Sequence, residues 1–532
     1  MPSPLQRAFA LPALAPLEER TFRMLWLAWL AANVTMWMND VAAAWLMTSL
    51  TTRPALVALV QTASTLPVFL LGLPSGAMAD ILDRRVYFAA TQLWVAVNAV
   101  LLAALSLADA ISAPLLLALT FVNGVGLAMR WPVFAAIVPD IVPRDHLPAA
   151  LALNGIAMNL SRVVGPVLAG MLLGLGSAAV FVVNAVLSAM AFVLILRWRH
   201  VRKTSALPGE RFVGAMRIGL QHVRQSPRMK VVLTRIFVFF LQSTALMALL
   251  PLIARRLHGG GPGTFTLMLA CLGGGAIFAS LQFPRWRQRF DRDQFVRYGT
   301  LTLSVMSVVV VFAPAAWLAL PAMLVIGMAW ISTANSLTTA AQMALPNWVR
   351  ARGMSIYQMA LMGGAAVGSL LWGQVAGWTD VRIAVTASAV LGPLLLLATR
   401  RLSVEGTDED FSPAPVLVPA DPLAPIGPDE GPVMVTIEYL IDPTRARDFA
   451  QVMQLTRAAR LRQGALSWGL FRDTAVPGRY IEYFLDESWV EHLRRLERFT
   501  ASDAGLRERR LAFHLGEQIP KVQRYIGEAL VG

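Results

Sequence analysis

Along residues 1–400 the apolar positions neither alternate nor recur on one helical face. They run on for about twenty residues at a time and are broken by short polar clusters. A bilayer core about 30 Å thick needs about 20 apolar residues per helical crossing. Twelve runs have that character, near 22–48, 55–79, 86–108, 114–134, 149–173, 177–197, 230–254, 264–284, 298–313, 315–340, 353–376 and 381–400. The pattern predicts twelve membrane helices, several interrupted by Gly or Pro, which such helices tolerate when neighbours re-satisfy the freed backbone groups. Residues 401–432 are Pro-rich and acidic and predict a linker. From residue 433 the pattern shortens. VMVTIEYLI (433–441), ALSWGLFRD (465–473), RYIEYFLDE (479–487) and KVQRYI (521–526) read as strands. Residues 443–462 and 488–499 read as helices, with another after Ser502. The order βαββαβ predicts an α+β ferredoxin-like soluble module.

The spans repeat. GPVLAG (165–170) aligns with GSLLWG (368–373) at an offset of 203 residues, which matches span 5 to span 11. Two six-helix halves related as parallel repeats are a transporter plan. The expected layout is an N-terminal segment 1–21, a first half 22–197, a central loop 198–229, a second half 230–400, the linker 401–432 and the module 433–532.

Charge sets the topology. Residues 1–400 hold 12 Asp or Glu against 30 Lys or Arg, which accounts for the chain's net charge of +14. The basic residues lie in clusters between apolar runs, a spacing that speaks for membrane topology and against a nucleic-acid partner. Loops after even-numbered spans carry most of them: Arg84 and Arg85, then Arg197 to Lys230, then Arg285 to Arg292, then Arg350 and Arg352. Arg255 and Arg256 are the exception on the other side. The positive-inside rule then puts both termini in the cytoplasm. The first residues lack the order of a signal peptide, and a bacterial inner membrane is the expected location. The single cysteine, Cys271, permits no intramolecular disulfide and no Cys-based metal site. Gly-rich stretches such as LGGGAIF (272–278) lack the GK[ST] of a phosphate loop. No catalytic set, metal site or cofactor is expected.

Ionisable residues interrupt the apolar runs. Asp40 lies in span 1 and Arg162 in span 5, and an intramembrane charge is a functional candidate by default. Counting from Arg23 and His146, they lie 17 and 16 residues into their spans, hence at nearly equal depth. An Asp40–Arg162 ion pair is expected, either as a proton-coupling device or as a static tie between helices. Asn33, Asn39, Asn123, Gln242, Asn335 and Gln358 are candidates for a midplane cavity, or for interhelical hydrogen bonds.

GAMADILDRR (76–85) closes span 2 with G-x-x-x-D and a charged turn. Here the sequence resembles the major facilitator superfamily, whose loop signature is G-x-x-x-D-x-x-G-R-[RK]. Gly76, Asp80, Arg84 and Arg85 fit, and Asp83 stands where many members have Gly. The form A-D-x-x-D-R-R resembles the branch of enterobactin exporters and transmembrane secretion effectors. The resemblance implies that Asp80 contacts the Arg352–Gly353 start of span 11. Gly165, Pro166 and Gly170 resemble the superfamily's antiporter signature G-P-x-x-G-G, with Ala169 in place of one glycine. The span 4 signature arginine is missing before Gly124 and Gly126; Arg130 follows instead, and no role carries over to it. The C-terminal module resembles antibiotic-biosynthesis-monooxygenase-like domains, which implies dimerisation, with Trp468, Trp489 and His492 available to line a cleft. Together these imply a non-enzymatic exporter of small amphipathic molecules, drug-like compounds or siderophores, working by proton antiport in the lipid bilayer. An importer, a facilitator, or a transporter with an enzymatic or sensory tail are the competing readings.

Overall fold

The computed structural model describes residues 14–198, 212–257, 260–405, 410–412, 414 and 425–528, with a few helix side chains, Asp80 among them, outside the described set. Most of segment 1–21 and about half of segment 401–432 therefore lie outside the described residues. Twelve long helices are present among those described: α1 (Arg20–Leu50), α2 (Pro54–Ile81), α3 (Arg84–Leu107), α4 (Ala113–Ile141), α5 (Leu147–Leu173) and α6 (Ser177–Leu196), then, after a shorter helix α7 (Phe212–Gln225), α8 (Pro227–Arg256), α9 (Pro262–Trp286), α10 (Arg292–Phe312), α11 (Ala316–Met343), α12 (Arg350–Trp378) and α13 (Val381–Ala398). Eleven of them are long and apolar enough to cross a membrane. The helix outside that count, α1, has 31 residues. Its length suffices, but Asn33, Asn39 and Asp40 interrupt its apolar run. Helix α7 falls in the central loop, where the sequence reading placed no element.

The chain divides into two compact units. The first comprises residues 1–209, 232–340 and 355–405. Its helix starts carry acidic caps that complement the helix dipole. Asp83 accepts from the backbone N–H of Arg85 (2.9 Å) and Val86 (3.2 Å) at α3. Asp291 and Gln294 form a reciprocal capping box at α10. In the first half, Phe22, Leu25, Trp29, Phe88, Phe134 and Ile137 build an aromatic-rich core, with Trp29 stacked on Phe134 at 4.0 Å.

Small residues set how closely the helices cross. A Cβ on Gly165 would lie 2.5 Å from Trp37 Cβ and 3.1 Å from the Val34 carbonyl, so α5 rests almost directly on the α1 backbone. The repeat-related Gly368 bears the same relation to α8, 2.5 Å from the Leu241 carbonyl. The next glycine of each motif crosses between the halves. Gly170 of α5 abuts Thr266 of α9, and Gly373 of α12 abuts Ala58 of α2, whose Cβ would lie 2.5 Å from a Cβ added at Gly373. The 203-residue repeat is thus a repeat of contacts. Helices α2 and α12 run antiparallel along a seam of small and hydroxylated residues. Gly377 faces Ala55, Thr62 Oγ1 lies 2.7 Å from Ser369 Oγ, Gly72 meets Met359, and Gly76 faces Ser355. Pro166 sits inside α5, which continues through it. The glycine run of α9 serves the same purpose: Gly273 packs on Val163, and Gly275 on the α11 backbone at Leu324.

The second unit comprises residues 210–231, 341–354 and 406–532. Strands β1 (Val433–Leu440), β2 (Ser467–Arg472), β3 (Arg479–Asp486) and β4 (Val522–Ile526) form an antiparallel sheet in the order β2-β3-β1-β4, with helices α14 (Ala446–Arg462), α15 (Trp489–Glu497) and α16 (Ala501–Leu511). This is the ferredoxin-like arrangement expected from the element order. Val433, Val435, Ile437 and Tyr439 alternate into the core of Phe449, Met453 and Phe484. Helix α7 packs in this unit. Arg217 pairs with Glu487 at 2.5 Å, and Gln221 donates to the Ala465 carbonyl at 2.7 Å. His222 donates through Nδ1 to the Arg462 carbonyl at 3.2 Å and meets the Trp348 ring edge-on at 5.4 Å. Arg498 covers the same ring at 4.9 Å.

Two predictions follow from this packing. Gly275→Ala should destabilise the protein by about 1–3 kcal/mol through overpacking. Gly274→Ala, with nothing within 4 Å of its added Cβ, should be neutral or stabilising; thermal melting in detergent compares them, and equal losses would contradict the packing. The second concerns acid. Burial pushes His222 down to about 4, so the folded unit favours the neutral ring. The stability this supplies is complete above pH 6.5 and is lost as the pH falls from 6.5 towards 4, about 3 kcal/mol at most. Melting of the second unit should decline over that interval and decline less in His222→Phe; identical pH profiles would refute the assignment.

Candidate functional site

Helix α1 carries the polar positions that interrupt the first apolar run, and they diverge. Asn33 donates to its own helix at the Trp29 carbonyl (2.7 Å). Asn39 turns into a narrow pocket inside the first half, together with Thr35, Asn123, Arg130, Asn184 and Ser188. Asp40 accepts a 3.0 Å hydrogen bond from Ser64 of α2. Arg130, which the sequence reading left without a role, is fully buried beside that pocket. Its Nη1 donates to the Ala32 carbonyl at 2.9 Å and to Gln92 Oε1 at 3.4 Å, and its guanidinium lies 5.5 Å from the Trp29 ring. The signal for Arg130 was its own burial in an apolar run, which the absent span 4 signature obscured.

Arg162 does not pair with Asp40 here. Its guanidinium lies over two indole rings, Trp37 of α1 at 5.5 Å and Trp330 of α11 at 4.6 Å. The reason is rotational. Gly165 brings α5 onto α1 at Val34 and Trp37, so α1 presents Trp37 to Arg162, while Asp40 bonds to α2. Trp37 and Trp330 come from different halves, which places Arg162 at their junction. Trp330 also meets Phe240 of α8 edge-on at 5.5 Å.

The second-half candidates separate too. Gln242 is buried, donates to Ser304 Oγ at 2.6 Å and fills the space left by Gly392. It joins α8, α10 and α13. Asn335 of α11 and Gln358 of α12 are half-buried. Of the six cavity candidates, Asn39 and Asn123 come together in one pocket. In the loop motif, Asp83 caps α3, Arg85 donates to the Leu196 carbonyl at the end of α6, and Gly76 lies against Ser355. The expected contact of Asp80 with Arg352–Gly353 lies outside the described residues.

In the second unit, β3 places Glu482, Phe484 and Asp486 on one face. Glu482 accepts from Tyr439 (2.9 Å), Arg460 (3.1 Å) and Trp468 (3.1 Å). Asp486 accepts from His492 (2.7 Å) and Arg495 (3.0 Å). Arg460 and Arg495 then cover the Phe484 ring at 4.5 and 4.2 Å. Burial pushes both carboxyls up, but Arg460 and Arg510 hold Glu482, and Arg495 and His492 hold Asp486, below the ordinary carboxylate range. His492 is itself buried, stacked on Trp489 at 5.3 Å, and accepts from Arg524 through Nε2. Trp468, Trp489 and His492 thus belong to a packed ionic core. Among the described residues, no group of three or more His, Cys, Asp or Glu is placed to hold a metal ion.

Solved transporters share the helical architecture. The chain superposes on the nucleoside transporter NupG with a TM-score of 0.57 and 13% identity, covering 72% of this chain and 99% of that one. A bacterial homologue of the human lysosomal transporter Spinster gives 0.58 and 15%, covering 74% and 99%. In sequence, the chain is 20% identical to a staphyloferrin A transporter of Staphylococcus aureus over 254 residues, 47% of this chain and 63% of that protein. It is 21% identical to macrolide efflux protein A of Enterococcus faecalis over 220 residues, 41% and 68%. Residues 11–530 match the transmembrane secretion effector family. With its helical repeat, its major facilitator architecture and a family match over nearly its whole length, the chain is a membrane transporter of the transmembrane secretion effector family.

Proposed function

We propose that this transporter exports small amphipathic molecules, drug-like compounds or siderophores, across the bacterial inner membrane by alternating access driven by proton antiport. The seam of small residues between α2 and α12, touching from Gly377–Ala55 to Gly76–Ser355, carries the reading. Contacts in which glycine, serine and threonine face each other, and in which Met359 and Phe69 rest on Gly72 and Gly363, hold the helices closely without pairing long side chains, and so let two halves rock apart and re-form. Relatives named for staphyloferrin A transport and macrolide efflux support the cargo class and the outward direction. The basic clusters after even-numbered spans support cytoplasmic termini.

Asp40 is the proposed proton carrier. It is the one acidic residue in the middle of the first run, and its Ser64 hydrogen bond serves either protonation state: the hydroxyl donates to the carboxylate and accepts from the acid. The ferredoxin-like tail acts as an accessory element. It forms one compact unit with α7 and residues 341–354, the connectors that lead into α8 and between α11 and α12. Its buried ionic core fits a rigid scaffold better than an enzyme's open cleft, and its resemblance to dimeric monooxygenase-like domains makes self-association its proposed further role.

In proteoliposomes with an imposed pH gradient, Asp40→Asn should lower gradient-driven cargo movement at least tenfold while leaving cargo–cargo exchange. Full gradient-driven movement in that variant would end the coupling role. Removal of residues 433–532 should alter the rate without abolishing movement; complete loss in a folded protein would make the tail part of the transport path.

A further inference from the structure

We propose that Arg162 is the binding site for the acidic group of an organic anion whose apolar, preferably aromatic, body lies against Trp37 and Trp330. This rests on the transport reading above and names the cargo class for the junction between the halves. Three arginines interrupt the membrane helices, Arg130 and Arg235 buried and Arg162 half-buried, and their surroundings differ. Arg235 donates to Thr399 Oγ1 at 2.7 Å and to the carbonyls of Thr399 and Leu402, both at 2.9 Å, at the end of α13. Arg130 is held through Nη1 by the Ala32 carbonyl and Gln92, although its Nε and Nη2 are unpartnered, so what sets Arg162 apart is the lack of any protein acceptor among the described residues. Arg162 has two flanking rings, while its Nε and Nη1 are buried with no acceptor.

An indole face attracts a cation but offers no lone pair to an N–H. The rings therefore compensate part of the guanidinium's charge and none of its directional donors. A buried charge held this way lacks the hydrogen-bonded counter-ion that such groups require. The neighbouring carboxylate, Asp40, is engaged by Ser64 and makes no ion pair with Arg162 in this conformation. A carboxylate suits this side chain: Nε–H and an N–H of Nη2, the terminal nitrogen on the same side, run parallel and match its two oxygens. Arg162 as a whole is half-buried, so the group is not sealed from every side. Trp37 belongs to the first half and Trp330 to the second, so an anion seated on Arg162 would touch both. The repeat gives independent support. The position matching Arg162 in the second half is Ala365, so the cation is not part of the packing that the halves share.

Direct binding tests this without requiring transport. Full-length protein in lipid nanodiscs is equilibrated with 2-naphthoate and 1-pyrenebutyrate, and separately with their methyl esters. Each acid should bind at least tenfold more tightly than its ester. Arg162→Gln should abolish that difference, and Arg162→Lys should retain part of it. Equal binding of acid and ester to the unaltered protein, no binding of either acid, or an acid preference that survives in Arg162→Gln would each overturn the proposal. Melting without ligand separates a binding role from a structural one: Arg162→Gln should melt no lower than the unaltered protein, and a fall of several degrees would mark Arg162 as a structural tie. Acid-selective binding without any gradient-driven movement in liposomes would overturn the transport reading and leave this one. Esters moved as readily as acids would do the reverse.

Discussion

The close approach of helix backbones at glycine governs the rest of the membrane part. Between apolar helices in lipid there is little hydrophobic gain from association, so packing and hydrogen bonding must hold them together. Gly165 and Gly368 let α5 and α12 settle on α1 and α8, and Gly170 and Gly373 then meet the opposite half. One six-residue motif, used twice, thereby fixes both the inside of each half and the junction between them. Even a methyl group at those four positions would push the helices apart, since each added Cβ would lie within 2.5 Å of the facing helix.

The positions of the charged groups follow from that crossing. With α5 seated at Val34 and Trp37, Arg162 reaches indole rings, and Asp40 is left to the hydroxyl of Ser64. Separation of the two charges has a consequence for mechanism. A carboxylate locked to a guanidinium is held ionised, whereas one bonded to a hydroxyl is free to exchange its proton. The same separation leaves the cation available to another anion. The second unit takes the opposite course, since Glu482 and Asp486 are each matched by buried arginines and close into a core.

Much of this was legible in the sequence because the bilayer imposes a simple ruler. Run length gave the helices, the alternation of β1 gave the tail's core face, and the glycine motif gave the repeat. Helix α7 was missed because the basic stretch 198–229 lacks a long apolar run and read as a loop, although Gly214, Ile218 and His222 recur one turn apart. The Asp40–Arg162 pair failed for a geometric reason. Counting residues along two helices fixes depth but not azimuth, and the three residues from Trp37 to Asp40 turn the side chain through about 300°. Asp83 departed from the family's glycine, and its capping bonds to Arg85 and Val86 supply the local reason. The ionic core around His492 depends on tertiary pairing between β3, α14, α15 and β4, which no local pattern encodes.

Alternating access requires the α2–α12 seam to open at each end in turn. Paired cysteines in a protein whose Cys271 is replaced by serine test it directly. Ala55→Cys with Gly377→Cys suits one end, where the two Cβ positions lie 3.7 Å apart, close to the separation in a disulfide. Gly76→Cys with Ser355→Cys suits the other. Either cross-link alone should arrest cargo movement in proteoliposomes, and reduction should restore it. Undiminished movement with either end fully cross-linked would contradict the account.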